Sequence, residues 1–201
     1  MSKIKICGLR RVEDIQAVNQ ALPDFVGFVF AESSRRITAD TAVRLKEKLD
    51  PRIKAVGVFV NENADVVEGF VRGGIIDWVQ LHGDEDGAYI RLLQASCRCP
   101  VIRAVRIGET LPTLPEEADY LLFDTLSARR GGTGKPFDWN LLREYQGPPY
   151  FLAGGLTADN AANAIRLLRP FCVDVSSGAE TDGAKDAGKI QAIVRAVRDV
   201  V

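Results

Sequence analysis

The chain has 201 residues, 46% of them apolar and 26% charged. That is enough for one sizeable domain with a proper core, and it excludes the disordered and collagen-like classes. The formal net charge of -1 argues against a generic nucleic-acid binder, which carries a basic excess or stripe. The 4 cysteines, Cys7, Cys97, Cys99 and Cys172, are scattered in a chain too large to need staples, so free thiols are expected. Cys97 and Cys99 lack the two-residue spacer of the usual zinc and redox motifs, and 1 histidine cannot make a histidine-rich site, so no metal is expected. No basic segment leads into a long apolar stretch at the start, and no run approaches membrane-spanning length. The expectation is a cytoplasmic protein with no membrane and no nucleic-acid partner.

The first element is the alternating run Lys3-Ile4-Lys5-Ile6-Cys7-Gly8, a strand that stops at a small nucleophile and a glycine. Apolar residues at helical spacing follow over 11–21, and the continuous apolar run over 25–30 reads as a buried strand. The unit then repeats. A polar loop through Ser33, Ser34, Arg35 and Arg36 leads to a helix over 38–49 and a strand over 55–60. Asn61 and Asn63 open a helix that ends at Gly73-Gly74, before a strand over 78–81. Asp84 is read as the cap of a helix reaching about 96, after which Pro100 starts a strand over 101–105.

Residues 108–118 show little helical period, and the sixth strand, 120–123, ends in Asp124. The polar loop over 125–135 is the longest in the chain, and long loops in compact domains are usually functional or mobile. A short helix over 139–145, a strand over 150–153, a helix over 158–168 capped by Thr157, a strand over 172–175 and a last helix over 186–200 complete the pattern. Eight strands with helix-length connections point to a parallel sheet closed into a single-domain (β/α)₈ TIM barrel over residues 1–201. An open doubly wound sheet is the runner-up, but the first turn lacks the Gly-x-Gly-x-x-Gly fingerprint.

In a barrel the carboxyl ends of all strands face one mouth, so Cys7, Arg36, His82, Asp124, Gly154 and Ser176 would ring it. The adjacent seventh and eighth strand ends, with Gly154, Gly155, Ser177 and Gly178, suit a phosphate, because glycine lets backbone N–H groups approach an anion. Gly131-Gly132-Thr133-Gly134 could add donors. Cys7 and Asp124 form a base and acid pair suited to isomerisation, if the thiol ionises and the carboxyl stays protonated. The plainer alternatives are Cys7 as a small buried hydrophobe and Asp124 as a cap or an ion-pair partner of Arg129 or Arg130. The planar fork of Arg36 suits a carboxylate or phosphate, unless it is a solvated loop charge. His82 either polarises a substrate oxygen or, the favoured reading, holds its loop by a backbone bond. Lys5 shares a strand face with Cys7 and either lowers the thiol's pKa or fills the barrel paired with an acid such as Asp174.

These residues carry a resemblance. Lys5-Ile6-Cys7-Gly8, Gly27-Phe28-Val29-Phe30 with residues 33–37, Val56-Gly57-Val58-Phe59-Val60, Gln80-Leu81-His82-Gly83, Phe123-Asp124 with 131–139, Ala153-Gly154-Gly155-Leu156 with Asn160, and Asp174-Val175-Ser176-Ser177-Gly178 with Glu180, Gly183, Lys185 and Asp186 together resemble phosphoribosylanthranilate isomerase. The match runs in order along essentially the whole chain. It implies a barrel of the ribulose-phosphate-binding type that needs no cofactor and acts in tryptophan biosynthesis. The implied reaction converts N-(5-phosphoribosyl)anthranilate to 1-(2-carboxyphenylamino)-1-deoxyribulose 5-phosphate by an Amadori rearrangement. By motif, Cys7 is implied as the base at C2′, Asp124 as the acid at the ring oxygen, Arg36 as the partner of the anthranilate carboxylate, and Gly154, Gly155, Ser177 and Gly178 as the phosphate cradle, with His82 at the substrate.

Two rival readings share these features. The histidine-pathway isomerase of the same chemistry looks like an enzyme with aspartates in both roles, so Cys7 counts against it. A non-catalytic phosphate-binding barrel could lose the acid and the base, and both are here. The oligomeric state stays open between monomer and homodimer.

Overall fold

The computed structural model describes residues 1–114, 117–126 and 137–200. Eight strands form a closed parallel barrel in simple sequence order: β1 (Lys3–Cys7), β2 (Phe25–Val29), β3 (Lys54–Phe59), β4 (Trp78–Leu81), β5 (Val101–Ile107), β6 (Tyr120–Thr125), β7 (Tyr150–Leu152) and β8 (Cys172–Val175). Register closes the ring between the first and last strands, where Lys5 pairs with Asp174. The helices α1 (Val12–Ala21), α2 (Ala39–Lys46), α3 (Ala64–Arg72), α4 (Gly87–Cys97), α5 (Ala158–Leu168) and α6 (Ala187–Arg198) cover the outside. Among the described residues, β5 has no helix after it and β6 has only the short 3₁₀ turn Trp139–Leu142. The weak helical period of 108–118 agrees with this.

Each strand end follows from local chemistry. Phe25–Val29 is buried at every position, as a strand covered on one face by helices and on the other by the barrel interior must be. Helix α5 opens where Thr157 and Asn160 exchange a capping box, and α6 opens where the Asp186 carboxylate accepts from Lys189 N. One expected cap is corrected. Asp86, not Asp84, caps α4 and accepts from Tyr89 N, because Asp84 is already tied to Asn61 through its own N–H. Asn61 itself sits in the left-handed region and Asn63 caps α3.

The amino-terminal end of the barrel is plugged by aromatic rings. Phe25 meets Trp78 at 4.9 Å and Phe151 at 5.6 Å, and Phe171 meets Tyr120 at 4.8 Å. With that end filled, the interior opens at the carboxyl ends of the strands. No helix among the described residues is long and apolar enough to cross a membrane.

Candidate active site

Alternation along each strand decides what reaches the interior. Lys5 and Cys7 on β1, Gln80 on β4 with His82 just past its end, and Asp174 on β8 with Ser176 just past its end all line the inside, one layer above another. The deeper layer is a buried polar cluster. Lys5 Nζ lies 2.9 Å from both Gln80 Oε1 and Asp174 Oδ2, with Lys5 fully buried. Burial alone would drive the Lys5 ammonium down, but Asp174 and then Cys7 outweigh it and hold it above the ordinary lysine value. Asp174 Oδ1, also buried, has no partner among the described residues.

Above this layer opens a cavity of about 840 Å³. Cys7, His82 and Asp124 line it, as do Gly154, Gly155, Ser177 and Gly178. β1 and β6, which carry the thiol and the carboxyl, stand three neighbours apart one way round the ring and five the other. Burial pushes the Cys7 thiol up; Lys5 opposes this, Asp174 adds to it and Lys185 opposes it again, and the net shift is upward. The free site therefore holds Cys7 as a thiol, with two cations ready to stabilise its ionised form.

Asp124 is bonded at one oxygen and faces the histidine with the other. Oδ1 accepts from Thr125 N at 2.8 Å, and Oδ2 lies 3.6 Å from His82 Nε2. His82 does not hold its loop through its ring, contrary to the favoured expectation. Its Nδ1 faces Gln80 Nε2 at 3.1 Å and its ring borders the cavity. Other groups fix that loop: buried Glu85 accepts from Asn61 N and Gly83 N, and Arg106 donates to His82 O at 2.9 Å.

The glycine-rich ends approach as closely as their composition implies. Gly154 has φ +86°, and a Cβ there would strike Thr125; a Cβ on Gly178 would strike the carbonyl oxygen of Leu156. The loops after β7 and β8 thus touch backbone to backbone beside the cavity. Asn160 Nδ2 donates to Gly155 O at 2.9 Å and ties this turn to the start of α5. The expected donors Gly131-Gly132-Thr133-Gly134, most of the loop over 125–135, and the alternative partners Arg129 and Arg130 lie outside the described residues.

Arg36 is placed differently from the rest. It is exposed, pairs with Glu32, and is not among the residues lining the cavity, although Glu32 and Arg35 are. Arg35 forks onto Glu180 at 2.7 and 2.8 Å, and Glu180 also receives Lys185 Nζ at 2.7 Å. Glu180 and Lys185 sit on the hairpin of β9 (Glu180–Thr181) and β10 (Ala184–Lys185), and Lys185 also donates to Ser176 O at 2.9 Å. Neither this cluster nor Gln80 announces a role by residue type alone. The available signal was spacing: Lys5, Gln80 and Asp174 each interrupt an apolar strand two residues before Cys7, His82 and Ser176.

Eight parallel strands closed into a ring, with acid, thiol and imidazole all at the carboxyl end, define a (β/α)₈ barrel of the enzyme type. The family model described as N-(5'phosphoribosyl)anthranilate (PRA) isomerase matches residues 4–196, and the chain belongs to that family. It is 49% identical over 201 residues to the N-(5'-phosphoribosyl)anthranilate isomerase of Endomicrobium trichonymphae, covering 100% of both chains. Its fold matches the crystal structure of phosphoribosyl anthranilate isomerase from Thermotoga maritima with a TM-score of 0.86 at 34% identity, covering 98% of this chain and 99% of that one. A phosphoribosyl anthranilate isomerase in complex with reduced 1-(o-carboxyphenylamino)-1-deoxyribulose 5-phosphate matches with a TM-score of 0.84 at 32% identity, covering 98% and 99%.

Proposed function

We propose that this chain, as a single barrel domain, isomerises N-(5'-phosphoribosyl)anthranilate to 1-(2-carboxyphenylamino)-1-deoxyribulose 5-phosphate in tryptophan biosynthesis. The observation that carries the reading is one cavity bordered by a thiol, a carboxyl and two glycine-rich strand ends. Asp124 gives its proton to the furanose ring oxygen, the bond from that oxygen to C1′ breaks, and the nitrogen lone pair forms the Schiff base. Cys7 first loses its own proton to solvent, with Lys5 and Lys185 favouring the charged sulfur, and the thiolate then takes the proton from C2′ while the electrons of that C–H bond move through the new double bond to neutralise the nitrogen. The resulting enolamine becomes the ketone by gaining a proton at C1′ and losing the one on the C2′ hydroxyl.

Binding follows the charges of the substrate. Gly154, Gly155, Ser177 and Gly178 take the phosphate through backbone N–H groups and the serine hydroxyl. Arg36 leaves Glu32 and turns to the anthranilate carboxylate, a fork-to-fork pairing its planar guanidinium favours. Substrate and product are isomers: apart from the bond between C1′ and the ring oxygen, which opens, the steps are proton transfers between the substrate and the side chains at the cavity.

The test is a fluorescence assay that follows loss of phosphoribosylanthranilate with purified protein. The wild-type chain should consume it rapidly and Cys7→Ser should not. Failure of the wild-type protein to consume it would sink the reading.

A further inference from the structure

The layer beneath the cavity contains a chain of groups whose hydrogen-bond polarity can be worked out from one end. Lys5 is fully buried between Gln80 Oε1 and Asp174 Oδ2, each at 2.9 Å. An ammonium only donates, so the atom of Gln80 that faces it must be the carbonyl oxygen. The amide NH₂ of Gln80 then faces His82 Nδ1 at 3.1 Å, and an NH₂ also only donates. His82 Nδ1 must accept, and the single proton of the neutral ring is left on Nε2, which lies 3.6 Å from Asp124 Oδ2. No choice of amide orientation is free once Lys5 is charged, and Asp174 keeps it charged.

We propose that Gln80, anchored by Lys5, is a positioning residue that fixes His82 as the Nε2–H tautomer and so makes the ring a hydrogen-bond donor aimed at the acid Asp124. The catalytic half of this proposal rests on the isomerase reading above. When Asp124 gives up its proton to the ring oxygen, its carboxylate becomes the charge that needs stabilising. The Nε2–H of His82 faces it across 3.6 Å on one side, close enough to tighten as charge develops, and Thr125 N donates to it on the other. His82 in this arrangement does not take a proton from the substrate. The rotation of the ring is set by a glutamine two residues earlier, on the strand that His82 follows and one layer deeper in the barrel.

The chain has 1 histidine, so its ring nitrogens can be read without assignment ambiguity in tag-free protein labelled with ¹⁵N-histidine. Long-range ¹H–¹⁵N NMR at neutral pH should show Nε2 protonated and Nδ1 unprotonated in the wild type. In Gln80→Glu the new carboxylate keeps Lys5 and can only accept from the ring, so the proton should move to Nδ1. That variant should lose about tenfold in kcat, the scale of one misdirected transition-state hydrogen bond, with KM within about twofold. Gln80→Met, which offers Nδ1 no donor and adds no charge, covers the case in which Gln80→Glu does not fold; its ring signals should average between the two tautomers. A wild-type spectrum with the proton on Nδ1, or wild-type spectra from both variants, overturns the proposal. The assigned tautomer in a wild-type protein that does not turn over phosphoribosylanthranilate would support the geometry and remove only the isomerase reading.

Discussion

Gly27 and Cys7 are register partners across β1 and β2, and a Cβ placed on Gly27 would stand 2.6 Å from the Cys7 sulfur. The missing side chain of one strand is the space the thiol of its neighbour occupies. Gly27→Ala should therefore displace the thiol before it disturbs the fold. The expected cost is about 1–3 kcal/mol in stability, typical of an extra methyl in a packed interior, with a much larger fractional loss of kcat. Urea unfolding beside steady-state kinetics checks it, and unchanged kcat would show that the thiol has room to spare.

Cys7→Ser and Asp124→Asn each remove one proton-transferring group while keeping volume. Each should lower kcat by at least about 10²-fold, the low end of what one general acid or base contributes. Both side chains keep their shape beside the glycine-rich ends of β7 and β8, so affinity for a phosphorylated product analogue, measured by calorimetry, should fall little. Wild-type turnover by either variant removes that residue from the mechanism.

Glu180 predicts an acid-sensitive hairpin. Burial alone would raise its carboxyl, but hydrogen bonds from Arg35 and Lys185 outweigh that and bring it down to about 2 from 4.5. Lys185 is shifted downward as well, because it is more deeply buried and has one carboxylate against that burial, whereas Glu180 has two cations. A carboxyl lower in the folded than in the unfolded state stabilises the fold above the unfolded value and loses that contribution as pH falls. The loss, about 2–3 kcal/mol, should therefore fall between pH 4.5 and about 2. Glu180→Gln should flatten the stability profile over that window in acid titration followed by circular dichroism.

The barrel was legible because its strands are short, continuously apolar runs punctuated by polar or glycine ends, and β4 and β8 fall at the residues the sequence indicates. What the runs could not show is which alternate set faces inward, since both faces of Phe25–Val29 are apolar. The polar residues hold that information. Lys5, Gln80 and Asp174 are costly in a strand buried on both sides unless they meet, and they meet. Helix ends were less legible: Asp84 and Asp86 have equal capping chemistry, and only the tertiary bond to Asn61 separates them. For the same reason, adjacent Arg35 and Arg36 looked alike, although one is locked onto Glu180 and the other is exposed beside Glu32.

That difference between the arginines is measurable. Arg36→Met removes an exposed ion pair, which contributes little to stability, so the unfolding midpoint should hardly move. If Arg36 turns to the anthranilate carboxylate, KM should rise by about tenfold or more, the scale of a lost charge-assisted pair, with kcat changing much less. Arg35→Met should do the reverse, because it strips a cation from partly buried Glu180 and loosens the hairpin that carries Lys185. Equal KM values for Arg36→Met and wild type would assign the carboxylate to another group.

Lys5 joins stability to reactivity in one side chain. Its folded value lies above the ordinary lysine value, so its stabilising contribution is complete at neutral pH and disappears only in strong alkali. Lys5→Met leaves Asp174 buried without its cation and Gln80 without its donor. The expected cost is about 3–5 kcal/mol, and Asp174→Leu in the same chain should recover most of it, because the pair is then replaced by packing. Lys5→Met also removes the stronger of the two cations that oppose burial at Cys7, so the thiol rises further. Alkylation of Cys7 by iodoacetamide, which reads the thiolate, should then be slower than in wild type at any fixed pH between 7 and 9, by about tenfold for each unit the thiol moves. An unchanged alkylation rate in a folded Lys5→Met protein would mean that Lys5 serves the barrel interior alone.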